Sequence, residues 1–222
     1  PLLLLARARQ MQGRFDDMLQ LVEKALARDP RNIGLQIQFI GACLFCGYHD
    51  RAIAQLEQAA RMAGSNPDLL QKIAQRYLLA VKYEHAHRCY LRAVKLDGNN
   101  PQYLNNLALS YMFMGDLRRA EETFSMVIAR APNHYGAWHN RSTIRRQSTS
   151  SNHIRKLEKA LGKMAPNDAG EVPLCYALAK EYEDLGKDKR SFFYLQRGAD
   201  SYRRRMRYDV ETDLALMQRI AE

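Results

Sequence analysis

The strongest constraint on this chain is a period. Gly13, Gly47 and Gly115 stand 34 residues apart or twice that, and Val81 occupies the missing rung. Ala52, Ala86 and Ala120 keep the same spacing, as do Ala25, Ala59 and Ala93, a column that Val127 continues. Asn32, Asn66, Asn100 and His134 close successive repeats, each two residues after Pro30, Gly64, Gly98 or Pro132. Self-similarity at a period of roughly 20–50 residues marks architectures whose single repeats cannot bury their apolar faces alone and stack on their neighbours.

Each repeat reads as a helical hairpin, and residues 101–134 show it best. Pro101 suits a first helical turn, where a missing N–H costs nothing. Leu104, Leu107, Ala108 and Tyr111 then fall at i, i+3, i+4 and i+7, one face of a helix. Met114-Gly115-Asp116 is the turn, with glycine free to reverse the chain and Asp116 placed to cap the second helix. Leu117, Ala120, Phe124, Val127 and Ile128 make a second apolar face, and Ala131-Pro132-Asn133 stops it.

With these residues in hand, the sequence resembles the tetratricopeptide repeat (TPR) family. Leu107, Ala108, Tyr111, Gly115, Ala120, Phe124 and Pro132 stand at the family's signature positions. Residues 67–100 match through Ile73, Ala74, Tyr77, Ala86, Tyr90 and Ala93, and residues 33–66 through Gly47, Ala52 and Ala59. Residues 1–32 form a repeat short of its first residues, and Trp138 opens a fifth, beginning at 135, at the family's Trp position. The resemblance covers about residues 1–147. It implies an all-α, right-handed α-solenoid of about six TPR-like hairpins with a C-terminal capping helix.

After Gln147 the register fails. Residues 148–171 read as a Ser-rich loop, a short basic helix at about 152–164 and a second loop. The period resumes at Val172-Pro173, so 172–222 is a last TPR-like hairpin plus the capping helix. Asp209 would cap that helix, which presents Val210, Leu214, Met217 and Ala221 on one face. Within this stretch, residues 177–186, Gln196-Arg197-Gly198-Ala199 and Arg203-Arg204-Arg205 with Tyr208-Asp209 resemble the connector of bacterial TPR-containing sulfotransferases. That resemblance implies a non-catalytic recruiting arm ending just before an enzyme domain. The phosphate loop of such a domain has no counterpart here, since no G-x-x-x-x-G-K-[ST] occurs.

Composition narrows the chemistry. The formal net charge is +10, but the excess is local. Residues 135–165 hold Arg141, Arg145, Arg146, Arg155, Lys156, Lys159 and Lys163 against Glu158 alone, and residues 166–222 are nearly balanced. No run nears the ~18 apolar residues of a membrane span, and Arg7 and Arg9 break the opening leucines before a signal-peptide core forms. Four cysteines make no disulfide framework, so a reducing compartment, the cytoplasm, is expected. Cys43 and Cys46 form a C-x-x-C inside an apolar helical run, and no second pair or nearby His completes a zinc set, which favours packing over metal or redox chemistry. His85 and His87 are two apart, on different sides of a helix, and no nucleophile turn or catalytic constellation stands out. No catalytic residue, cofactor or metal is therefore assigned.

What remains is binding. Stacked hairpins make a concave surface lined by their first helices. Its sixth repeat position carries Gln38, Lys72, Asn106 and Asn140. Asparagine amides both donate to and accept from an extended peptide backbone, although a solvated polar face is the simpler account of the column. Ile37, Leu44 and Phe45 make the second repeat's inner face apolar, and Leu109, Met112 and Phe113 the fourth's, whereas His139, Thr143, Arg146 and Gln147 make the fifth polar and basic. The expected peptide groove is Asn105, Asn106, Leu109, Met112, Phe113, His139, Asn140 and Arg146. It would take a protein or peptide partner, such as an amphipathic segment or one with an acidic tail. Nucleic acid ranks below, because no aromatics interleave with the Arg203–Arg205 run, and no membrane is expected.

Overall fold

The computed structural model describes residues 1–165, 168–206 and 210–221. Thirteen helices follow one another among them, with no strand and a lone bridge pairing Ser148 with Ser151. Two compact units divide the chain, Pro1–Ala131 and Pro132–Glu222.

The first unit is four antiparallel hairpins: α1 (Leu2–Met11) with α2 (Phe15–Arg28), α3 (Ile33–Phe45) with α4 (His49–Met62), α5 (Pro67–Leu79) with α6 (Tyr83–Leu96), and α7 (Pro101–Phe113) with α8 (Leu117–Arg130). The second helix of each hairpin packs on the first helix of the next, so α2 meets α3, α4 meets α5 and α6 meets α7. The periodic residues explain the regularity. Ala52, Ala86 and Ala120 are fully buried, as are Ala59 and Ala93, because only a methyl fits where the paired helices approach. Phe124, Leu56, Ile73 and Leu104 fill the space beside them.

Both ends of each hairpin are closed by local chemistry. At the turns Gly13, Gly47 and Gly115 take positive φ, and the N–H after each bonds the carbonyl five residues back, as Tyr48 does to Cys43 at 2.8 Å. This is the Schellman closure that favours glycine. Val81 makes the same closure, with Lys82 N–H on the Tyr77 carbonyl at 2.8 Å, and takes φ 57 to do so. At the first-helix starts, Asn32 and Asn66 accept from the N–H three residues on, at 3.1 Å each, and Asn100 does so at 3.4 Å. Asp116 accepts from Arg119 N–H, so it caps α8 as its position implied.

The second unit holds α9 (Tyr135–Thr143), α10 (Ile154–Leu161), α11 (Glu171–Asp184), α12 (Asp188–Arg205) and α13 (Val210–Ala221). The short helix α10 is narrower than the sequence suggested. Here α9 and α10 both pack on α11, which pairs with α12. The fifth repeat thus begins in register, with His134 Nδ1 accepting from Ala137 N–H and Trp138 Nε1–H donating to the Pro132 carbonyl at 3.0 Å. Its second half is replaced by a polar anchor. Glu181 of α11, wholly buried, accepts from the Ser142 hydroxyl at 2.6 Å and from the His153 N–H at 2.6 Å, with His153 Nδ1 at 3.0 Å. Asp184 accepts from Gln147 N–H at 2.8 Å, and Tyr182 and Tyr194 donate to Glu158 of α10 at 2.7 and 3.1 Å. These bonds fix residues 144–153 and α10 without a repeat register. Val210, Leu214, Met217 and Ile220 of α13 stay exposed. Asp209 lies outside the described residues, as does the side chain of Ala221.

Candidate functional site

In the first unit α1 packs on α2, and between it and the inner helices α3 and α5 lies a cavity of about 630 Å³. That volume falls in the range of small-ligand and side-chain pockets. Its apolar wall is Leu3, Leu4, Leu44, Phe45 and Leu79, of which Leu4, Phe45 and Leu79 are more than half exposed. The polar lining is Arg7, Gln10, Gln38 and Arg76. No acidic residue lines it, and neither arginine has an acidic partner among the described residues.

Arg76 is seated by a glycine. The position a Cβ would take on Gly41 lies 3.0 Å from Arg76 Cζ and 3.1 Å from its Nε, so the guanidinium rests against bare α3 backbone. A glycine inside a helix costs about 1 kcal/mol relative to alanine, and here it makes the seat. Arg76 Nε is buried there with no hydrogen-bond partner. An unmatched, partly desolvated cation is costly, and an anion brought to it would be correspondingly well held.

The residues expected from the sequence to line a groove divide between the two units. In the first, Asn105 is buried on α7 and its Oδ1 has no partner. Asn106 Nδ2 donates to Gln71 Oε1 at 2.5 Å, and Asn106 Oδ1 accepts from Gln102 at 3.2 Å, so its amide is already engaged. Leu109 and Met112 are half-buried, and Phe113 is exposed but stacks on Tyr83 with centroids 5.5 Å apart. Phe15 and Phe45 occupy the same repeat positions two repeats earlier and also pair, edge to face at 4.7 Å. In the second unit His139 is half-buried, and burial pushes its imidazole pKa down against a hydrogen bond to Asn140 that raises it. Asn140 is half-buried and Arg146 exposed.

Other candidates resolve into packing. Cys43 is buried, the Cys46 thiol donates to the Phe15 carbonyl at 3.6 Å, and burial pushes both thiols up, away from the reactive thiolate. Arg141, one of the seven basic residues of 135–165, is buried with its guanidinium 5.1 Å from the Trp138 ring centroid. The Arg203–Arg205 run meets Glu171, which also accepts from Arg197 Nε at 2.9 Å and from Ser201 at 2.8 Å. Sequence reasoning reached Phe45 and Leu44 but not Arg7, Gly41 or Arg76. The signal was a glycine inside α3 with an arginine 35 residues on in α5, one residue off the 34-residue period, and it occurs once.

Comparison with known proteins bears on the fold. Residues 89–122 match the tetratricopeptide repeat family profile. No curated protein sequence matches the chain. Among solved structures, the nearly identical TPR-like repeats of a kinesin light chain from Podospora anserina superpose with a TM-score of 0.60 at 15% identity, covering 81% of this chain and 99% of that one. YrrB, described as a TPR protein with an unusual peptide-binding site, gives 0.51 at 16% identity over 88% of this chain and 91% of that one. MamA gives 0.51 at 15% identity over 91% and 97%. The chain therefore carries a tetratricopeptide repeat and shares the all-helical fold of TPR structures.

Proposed function

We propose that this chain is a non-catalytic protein-interaction scaffold that holds a segment of a partner protein along the inner helices of its hairpins. The observation that carries the proposal is the cavity between α1, α3 and α5, which has exposed apolar walls and a polar lining and no side chain of the described chain filling it. The peptide-binding site of YrrB, on a similar fold, supports the same use here. In the first unit the segment would continue over Leu109, Met112 and Phe113 of α7. Asn106 would take part only by giving up its bonds to Gln71 and Gln102, and buried Asn105 through its unpartnered Oδ1. His139, Asn140 and Arg146 of the second unit are proposed to make peptide contacts of their own.

Selection from a displayed library of random twelve-residue peptides tests the proposal. Selected peptides should lose about tenfold in affinity on Phe45→Ala, with the helical melting curve unchanged. Asn106→Ala should leave them unaffected if its amide stays on Gln71. Failure to select any peptide above background overturns the proposal.

A second reading makes the chain the substrate-recruiting arm of a sulfotransferase. What supports it, beyond the resemblance within residues 176–220, is the exposure of large apolar side chains there: Phe192, Leu195 and Tyr202 on α12, and Leu214 and Met217 on α13. A catalytic domain with a phosphate-binding loop encoded after Glu222 would decide for it.

A further inference from the structure

We infer that the cavity between α1, α3 and α5 is an anion-reading subsite, and that it takes a peptide segment bearing an Asp or Glu side chain flanked by large aliphatic or aromatic residues. The inference rests on the peptide-binding reading above and adds to it the chemistry of the ligand.

Three features point the same way. The lining carries two cations, Arg7 and Arg76, and no acid. Neither cation has an acidic partner among the described residues. Arg76 is also positioned, since Gly41 leaves space for its guanidinium against α3, and its Nε is buried and unpartnered. A flexible surface arginine would be solvated and mobile. One pressed onto backbone is pre-organised, so less freedom is lost when it binds a carboxylate. Around the two cations stand Leu3, Leu4, Leu79 and Phe45, which would cover apolar side chains on either side of the acid.

The same features argue against a nucleic acid occupant. Only Phe45 offers an aromatic face in the lining, and successive bases need several. Two cations neutralise few phosphates, whereas backbone binding to nucleic acid relies on many. A side-chain carboxylate within a running segment also suits a cavity bounded by successive inner helices, because the segment is free to continue toward α7.

The test uses peptides selected on the whole chain, synthesised with amidated C-termini so that the side chain is the source of charge. They should be enriched in Asp or Glu beside Leu, Ile or Phe. Replacing that acid by its amide should weaken binding about tenfold, the size of one charge-assisted contact. Arg76→Met should weaken the acidic peptide by a similar factor and leave the amide peptide unchanged. Because Met conserves bulk and removes an unmatched cation, this variant should melt no lower than wild type. Gly41→Ala, whose Cβ would displace the guanidinium, should reproduce the effect in part.

Peptides selected without acidic preference, or an acid-to-amide ratio unchanged by Arg76→Met, overturn the anion inference and leave the groove standing. Failure to select peptides at all removes both. A random oligonucleotide that abolishes peptide binding in wild type and not in Arg76→Met would assign the cavity to nucleic acid and overturn the inference as well.

Discussion

At the scale of single residues the repeat acts as a mould. Val81 stands where Gly13, Gly47 and Gly115 take positive φ, and it adopts φ 57 although it is β-branched. Such a conformation costs a residue with a Cβ about 1–2 kcal/mol. The hairpin imposes it because α5 and α6 are packed by their own faces and the Tyr77 carbonyl needs the Lys82 N–H. Val81 is largely exposed, so its side chain returns little packing. Val81→Gly should therefore stabilise the chain by about 1 kcal/mol once glycine's greater unfolded-state freedom is subtracted, raising the melting midpoint by roughly 3 °C. Val81→Ala should not. A midpoint unchanged or lowered in the glycine variant would show that the turn carries no such strain.

At the scale of elements the informative feature is where periodicity stops. Burial alone would push the Glu181 carboxyl up, but hydrogen bonds from His153 and Ser142 outweigh it and hold the group below its ordinary value of 4.5. A depressed carboxyl contributes its stability in full above its unfolded value and loses it as pH falls through the folded value, so the window lies below pH 4.5. Glu181→Ala leaves the Ser142 hydroxyl and the His153 N–H unmatched and should cost about 3 kcal/mol at neutral pH. The gap in melting midpoint between wild type and Glu181→Gln should shrink as pH drops from about 6 to about 3. A gap constant across that range would mean that the carboxylate's charge is not what holds α9 and α10. This element also marks the limit of what the sequence discloses. Helices α1 to α8 were legible because Ala120, Phe124, Gly115 and Asn100 repeat their roles at a fixed interval. The anchor at Glu181 was not, since it joins residues 39 and 28 positions apart with no second copy to reveal it. The cavity was half legible for the same reason. Phe45 sits on a periodic apolar face, whereas the Gly41–Arg76 contact occurs once.

At the scale of the whole molecule, a chain of repeats distributes its stability locally. Each repeat is held by its neighbours, and there is no shared core to couple distant ones. The first unit has its own buried set in Leu56, Ile73, Leu104 and Phe124, and the second has Leu157, Leu174, Leu178 and Glu181. Damage to one set should therefore open the helices that contain it and spare the other. Glu181→Ala, at about 3 kcal/mol, should speed amide exchange in α9, α10 and α11 by about 100-fold while exchange in α3 to α8 stays within about twofold of wild type. Hydrogen-exchange mass spectrometry resolves these segments. Equal acceleration throughout would show that the 222 residues open as one cooperative block. Local opening matters for the proposed function, because it leaves α1, α3 and α5 formed around Arg76 while helices of the second unit open. Affinity for acidic peptides that depend on Arg76 should then match wild type in Glu181→Ala, and a parallel loss of that binding and of exchange protection would tie the cavity to the fold of the second unit.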